Sequence, residues 1–179
     1  TVQLVSVSSD GISSGNGDCT DLAISADGNV VAFTSYATNL TSVPDTNGSS
    51  DVFARNLTTN TTTLVSINST GTATGSGTSG SLGSFGPVIS ADGKIVAFTS
   101  FATDLQSVVP DTNGQTDVYA RNLSTGETVL VSANYTGTSS GALGGSSGPS
   151  ISAVGNRVAF NSSAEDLVPT FTDNRSNVY

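Results

Sequence analysis

The chain of 179 residues has no histidine, methionine or tryptophan, and one cysteine, Cys19. Without histidine it cannot assemble a Ser-His-Asp triad or a Cys-His dyad, and zinc sites of the His/Cys type are excluded as well. Cys19 has no partner for an intrachain disulfide and reads as a small residue in a loop, with an intermolecular link as the alternative. Basic side chains number 5 against 14 acidic ones, a net charge of −9. Nucleic-acid recognition needs clustered Lys and Arg to neutralise phosphates, and there are no such clusters. Charged residues are only 11% of the chain, unlike the charge-rich composition of disordered segments. No apolar run approaches the roughly 18 residues of a membrane span. Thr1 opens no signal-peptide pattern, so a processed mature form or a fragment is expected.

What is present is polar and repetitive. Ser, Thr, Gly and Asn make up half of the chain; these residues favour turns and extended segments over helix interiors. The segment Ile24-Ser-Ala-Asp-Gly-Asn-Val-Val-Ala-Phe-Thr-Ser35 returns as Ile89–Ser100 and, in worn form, as Ile151–Ser162, at spacings of 65 and 62 residues. A period of this size marks one supersecondary unit repeated so that neighbours cover each other's apolar faces.

In the second copy the unit divides into four short runs: Pro87–Ser90, Lys94–Ser100, Asp117–Leu123 and Thr128–Ser132. Ala91-Asp92-Gly93 and Ser124-Thr125-Gly126-Glu127 between them are hairpin signals. Ile95-Val96-Ala97-Phe98 is apolar at successive positions, as in a strand buried on both faces. Four antiparallel strands in about sixty residues describe a propeller blade. The segment Ile89–Ser100, followed by Asp117-Val-Tyr-Ala-Arg-Asn-Leu-Ser-Thr-Gly-Glu127, resembles the WD40-like propeller repeat of TolB-type proteins. It is most similar to a bacterial subgroup with Asp-Thr-Asn-Gly-x-x-Asp-Val-Phe/Tyr in each blade. That resemblance implies an all-β fold and a periplasmic or secreted scaffolding or binding role, and such repeats are also found attached to peptidases. A β-solenoid built from the same strands is the alternative architecture.

The expected division is 1–23, an outer strand and loop of a preceding or closing blade; 24–88 and 89–150, one blade each; and 151–179, an incomplete blade. Thr1–Val7 matches the fourth strand, Thr63–Ile67 and Val129–Ala133, whereas Asn177–Tyr179 matches only the start of the third. About three blades' worth of sequence leaves the ring incomplete within this chain. Three arrangements accommodate that: a longer polypeptide, two half-rings paired by a twofold axis, or a head-to-tail filament joined by strand addition.

The best candidate for chemistry is Asp45-Thr-Asn47-Gly-Ser-Ser-Asp51 and its copy Asp111-Thr-Asn113-Gly-Gln-Thr-Asp117. Oxygen side chains at alternate positions, a glycine and a further carboxylate suit a hard cation, which makes calcium the expected cofactor. The same residues also build turns without metal. The third copy, Phe171–Asn177, has lost its first carboxylate and gained Arg175, and should not bind metal. Arg55 and Arg121, at equivalent strand positions, are expected to pair with Asp51 or Asp117 or to stack between blades. The unrepeated acids Asp10, Asp18, Asp21, Glu127, Glu165 and Asp173 show no catalytic spacing, so the chain is not expected to be an enzyme.

Sequons at Asn39, Asn47, Asn56, Asn60, Asn68, Asn122, Asn134, Asn161 and Asn174 are candidate glycosylation sites and point outside the cell. The expected role is an extracellular or cell-surface structural or binding module, with the periplasm as the other location. Its expected partners are protein (a second copy or the rest of a longer chain) or glycans, and neither nucleic acid nor membrane. A lectin using Tyr36, Phe101 and Tyr135 and a filament subunit are the alternative functions.

Overall fold

The computed structural model describes residues 2–76, 83–170 and 175–179. Its described elements are all strands, in three antiparallel sheets. Sheet 1 has the order β1 (Cys19–Ile24), β2 (Val30–Ser35), β3 (Asp51–Asn56), β4 (Thr61–Leu64). Sheet 2 repeats it with β5 (Ser84–Ile89), β6 (Ile95–Ser100), β7 (Asp117–Asn122) and β8 (Thr128–Leu130). Sheet 3 contains β9 (Ser146–Ile151), β10 (Val158–Ser162) and β11 (Asn177–Val178), with β10 in the middle. Four-stranded meanders standing side by side are propeller blades, here not closed into a ring.

Each sheet begins earlier than the expected boundaries at 24, 89 and 151. The first strands, Cys-Thr-Asp-Leu-Ala-Ile, Ser-Phe-Gly-Pro-Val-Ile and Ser-Ser-Gly-Pro-Ser-Ile, lack an apolar alternation that would mark their full length. Each carries an irregularity in its register with the next strand. Cys19 is therefore the exposed first residue of β1 and not a loop residue. The second and third strands follow the apolar runs. Val31 and Phe33 enter one core with Phe53 and Leu64, while Ala32 enters the other with Val96, Phe98 and Tyr119. β2 is thus buried on both faces, which is why it shows no alternation. An aromatic pair recurs at one place in each sheet, Phe33–Phe53, Phe98–Tyr119 and Phe160–Tyr179, with centroids 5.9 to 6.0 Å apart.

The hairpin between the first and second strands is built locally. In sheet 1, Asp27 accepts from Ser25 Oγ at 2.6 Å and from the Asn29 N–H at 3.0 Å, and Gly28 takes φ +72°. Asp92 does the same with Ser90 and Lys94 around Gly93. In sheet 3, Val154 replaces the aspartate, and Asn156 Oδ1 accepts from Ser152 Oγ instead.

These turns also join the sheets. The Ala26 N–H donates to the Ala91 carbonyl at 3.0 Å, and the Ala91 N–H donates to the Ala153 carbonyl at 2.8 Å. A Cβ at Gly93 would lie 2.9 Å from Val30 Cγ2, and one at Gly155 would lie 2.6 Å from Ile95 Cγ1. Both separations are below van der Waals contact, so glycine sets how closely one sheet approaches the next. The step from sheet 1 to sheet 2 is repeated from sheet 2 to sheet 3. No described helix is long and apolar enough to cross a membrane.

Candidate metal centre

The loop from Asp45 to Asp51 leads into β3 and closes on itself. Asp45 Oδ1 accepts the N–H groups of Asn47 at 3.2 Å and Gly48 at 3.4 Å, an Asx turn. Asn47 Oδ1 accepts the Ser49 N–H at 2.8 Å, and its Nδ2 donates to the Gly75 carbonyl at 2.9 Å. The same Nδ2 lies 3.3 and 3.4 Å from the two oxygens of Asp51. The copy repeats the plan. Asn113 Nδ2 donates to the Gly141 carbonyl at 2.7 Å, and its Oδ1 accepts the Gln115 N–H at 2.7 Å. Asp111 accepts from Ser140 Oγ at 3.1 Å and from the Tyr119 hydroxyl at 3.2 Å.

Asp51 and Asp117 are buried, at 1% and 0% exposure. Ser66 Oγ donates to Asp51 at 2.7 Å and accepts the Val52 N–H at 3.0 Å. Ser132 bridges Asp117 and the Val118 N–H at 2.5 and 3.0 Å. Each serine thus ties the start of the third strand to the segment after the fourth. Ser66, Ser132, Gly75 and Gly141 are the members of this network that sequence reasoning missed. The signal for the two serines was the repeated Val-Ser that closes the fourth run.

Burial raises both carboxyls to about 7, helped by the charge of Asp45 beside Asp51 and of Asp111 beside Asp117; the serine and asparagine donors act against it. The second oxygen of Asp117 is buried without a hydrogen-bond partner, which makes it the natural seat for a proton.

The six sequence-predicted ligands fall together in two clusters, but their donors do not converge as a cation requires. The position between the Asp51 carboxylate and the Gly75 carbonyl holds an amide N–H₂, whose orientation is fixed by Ser49 on one side and Gly75 on the other. Asp45, Asp111 and the asparagine oxygens are turned to backbone and side-chain donors. Among the described residues no group of three or more His, Cys, Asp or Glu side chains could hold a metal. The donor set does not fit calcium. The third copy lies largely outside the described residues, which include none of 171–174.

No protein-family model matches the chain, and no curated protein sequence matches it. Among solved structures it is similar in fold to TolB-type β-propellers. TolB from Acinetobacter baumannii is 20% identical, with a TM-score of 0.46 over 87% of this chain and 31% of that one. The tricorn protease is 9% identical, with a TM-score of 0.49 over 84% of this chain and 11% of that one. The β-propeller domain of the Trilobed protease from Pyrococcus furiosus is 14% identical, with a TM-score of 0.45 over 81% of this chain and 34% of that one. The chain therefore spans about a third or less of each of these structures. The blade description stands on the sheets' own order and stacking.

The expected pairing of Arg55 and Arg121 with the strand aspartates does not form. Arg55 donates to Thr62 Oγ1 at 3.1 Å and Arg121 to Thr128 Oγ1 at 2.7 Å. Four residues along one strand separate each arginine from its aspartate, roughly 13 Å on the same face. Burial lowers the Arg121 pKa, and the Nε atoms of both arginines are buried without a partner. Tyr36 and Tyr135 are exposed and Phe101 is half-buried.

A folded-state pKa above the unfolded value means that the folded protein holds extra protons between pH 4 and 7, so stability falls as pH rises through that window and levels off above it. Asp27 and Asp92, held low chiefly by Ser25 and Ser90, act oppositely: their contribution is present above the unfolded carboxylate pKa and is lost on acidification. Thermal melting from pH 3 to 9 should show a falling midpoint from about pH 4 to 7, and Asp51→Asn with Asp117→Asn should flatten that slope. Melting with calcium or with chelator should give the same midpoint, because a cation bound only by the folded state would raise it.

Proposed function

We propose that this chain is a non-catalytic structural and binding module working outside the cytoplasm, with protein as its partner class. One observation carries this reading: the acids of its most conspicuous motif are consumed, sheet after sheet, in holding backbone. Asp45, Asp51, Asp111 and Asp117 each accept bonds from their own loop or from the neighbouring strand segment. A cavity of about 330 Å³ at the β7–β8 hairpin includes Leu105, Gln106, Arg121 and Glu127 in its lining. It brings one carboxylate to its wall, where glycosidase chemistry needs two.

The export part of the reading rests on the nine sequons. Asn60 and Asn161 are exposed, whereas the Asn47 amide nitrogen is committed to Gly75. Asn174 lies outside the described residues. Expression in a glycosylating host followed by peptide mapping should find glycan on Asn60 and none on Asn47; the reverse pattern would contradict the reading. The scattered exposed aromatics give no platform for a lectin site.

Incubation with peptide, ester and glycoside substrates should give rates equal to buffer alone. Turnover that follows the folded protein and disappears when Glu127 or another single acid is replaced would refute the non-catalytic reading.

A further inference from the structure

Three departures from the repeat meet at the cavity of about 330 Å³. Its walls come from sheet 2 and from the turn that follows β4. Sheet 2 has sheet 1 packed on one side and sheet 3 on the other, so this cavity lies at the β7–β8 hairpin and not on an end of the stack.

The first departure is in the loop after β6. Leu105-Gln-Ser-Val-Val-Pro110 has one residue more than Leu40-Thr-Ser-Val-Pro44. Gln106 folds the longer loop around its own amide. Its Oε1 accepts the N–H groups of Val108 at 2.7 Å and Val109 at 2.9 Å, and its Nε2 donates to the Val109 carbonyl. Val108, on the cavity wall, is left 87% exposed. The other two departures are in the hairpin. Gly126 stands where sheet 1 has Asn60, both in the left-handed region at φ +77° and +56°. Glu127 stands where sheet 1 has Thr61.

These changes uncover a guanidinium. Arg55 and Arg121 make the same bond to a threonine across the hairpin, yet Arg55 is 7% exposed and Arg121 only half-buried. A Cβ at Gly126 would lie 3.5 Å from Arg121 Nη2; at the corresponding place in sheet 1, Asn60 carries a side chain. Nη2 has no hydrogen-bond partner among the described residues, and neither Arg121 nor Glu127 is in an ion pair there. The cavity therefore presents one unpaired cation and one unpaired carboxylate, with apolar surface from Ile67 and Val108 and hydroxyls from Ser69 and Thr70. A purely anionic ligand would be repelled by Glu127 and by the chain's net charge of −9. A zwitterion meets a complementary charge at each end. The volume falls at the small end of ligand cavities, which run from about 300 to 1,000 Å³.

We propose that this cavity binds a zwitterionic α-amino compound with an apolar side chain, its carboxylate on Arg121 and its ammonium on Glu127. A free amino acid and a short peptide share that chemistry. The proposal adds a small-molecule site to the protein-binding module and does not depend on that reading.

Isothermal titration calorimetry of the 179-residue chain tests it with L-leucine, Leu-Leu, N-acetyl-leucine, leucinamide and glucuronate. Leucine or Leu-Leu should bind saturably, and the tighter of the two identifies the source. Blocking the ammonium or the carboxylate should weaken binding at least about tenfold, as loss of a charge-assisted bond does. Gly126→Asn, which copies sheet 1, should weaken leucine at least about tenfold with an unchanged melting midpoint. Glu127→Gln, at an exposed position, should do the same for leucine while leaving N-acetyl-leucine unaffected. Absence of binding by both leucine and Leu-Leu overturns the proposal. So does binding that survives Gly126→Asn or Glu127→Gln undiminished, or N-acetyl-leucine, leucinamide or glucuronate binding as tightly as leucine. None of these results bears on whether the module binds another protein.

Discussion

A strand such as Val31-Ala32-Phe33 puts apolar side chains on both faces of its sheet, and such a sheet is stable only when both faces are covered. The protein meets this constraint by setting each sheet against the next at one repeated step. The step is fixed where space is tightest, at the hairpin glycine pressed against Val30 or Ile95 and at the alanine-to-alanine hydrogen bond beside it. Because the glycines set the approach and the apolar faces supply the driving force, neither alone would define the architecture.

Within sheets 1 and 2 a second device holds the outer strands. A buried aspartate at the head of the third strand binds a serine that follows the fourth, and that serine binds the backbone beside the aspartate. Closing this triangle away from water gives the turn-rich loops a fixed anchor. It also explains why an Asp-x-Asn-Gly motif is repeated without becoming a metal loop: its amide nitrogen occupies the position that a cation would need.

Much of the fold was legible in the chain itself. The successive apolar residues of Ile95–Phe98 and the Ala-Asp-Gly turns gave the central strands and their hairpin to within a residue or two. The first strands were harder, because Ser84-Phe85-Gly86 shows no period and takes its place only through pairing with β6. The site was legible as residues but not as chemistry. Spacing showed that Asp45, Asn47 and Asp51 would come together, whereas burial and the direction of the asparagine amide, which decide between cation and hydrogen-bond network, are tertiary properties. The arginines illustrate the same limit: their place on the strands was right, and their partners were threonines across the hairpin and not aspartates along it.

Amide hydrogen exchange at three alanines tests the repeated step most directly. The account requires the Ala26 and Ala91 amides to exchange at least about a hundredfold more slowly than the Ala153 amide, since the first two are bonded across sheets and the third has no partner among the described residues. Equal, rapid exchange at all three would mean that the sheets are not joined at these turns, and the stacking described here would be wrong.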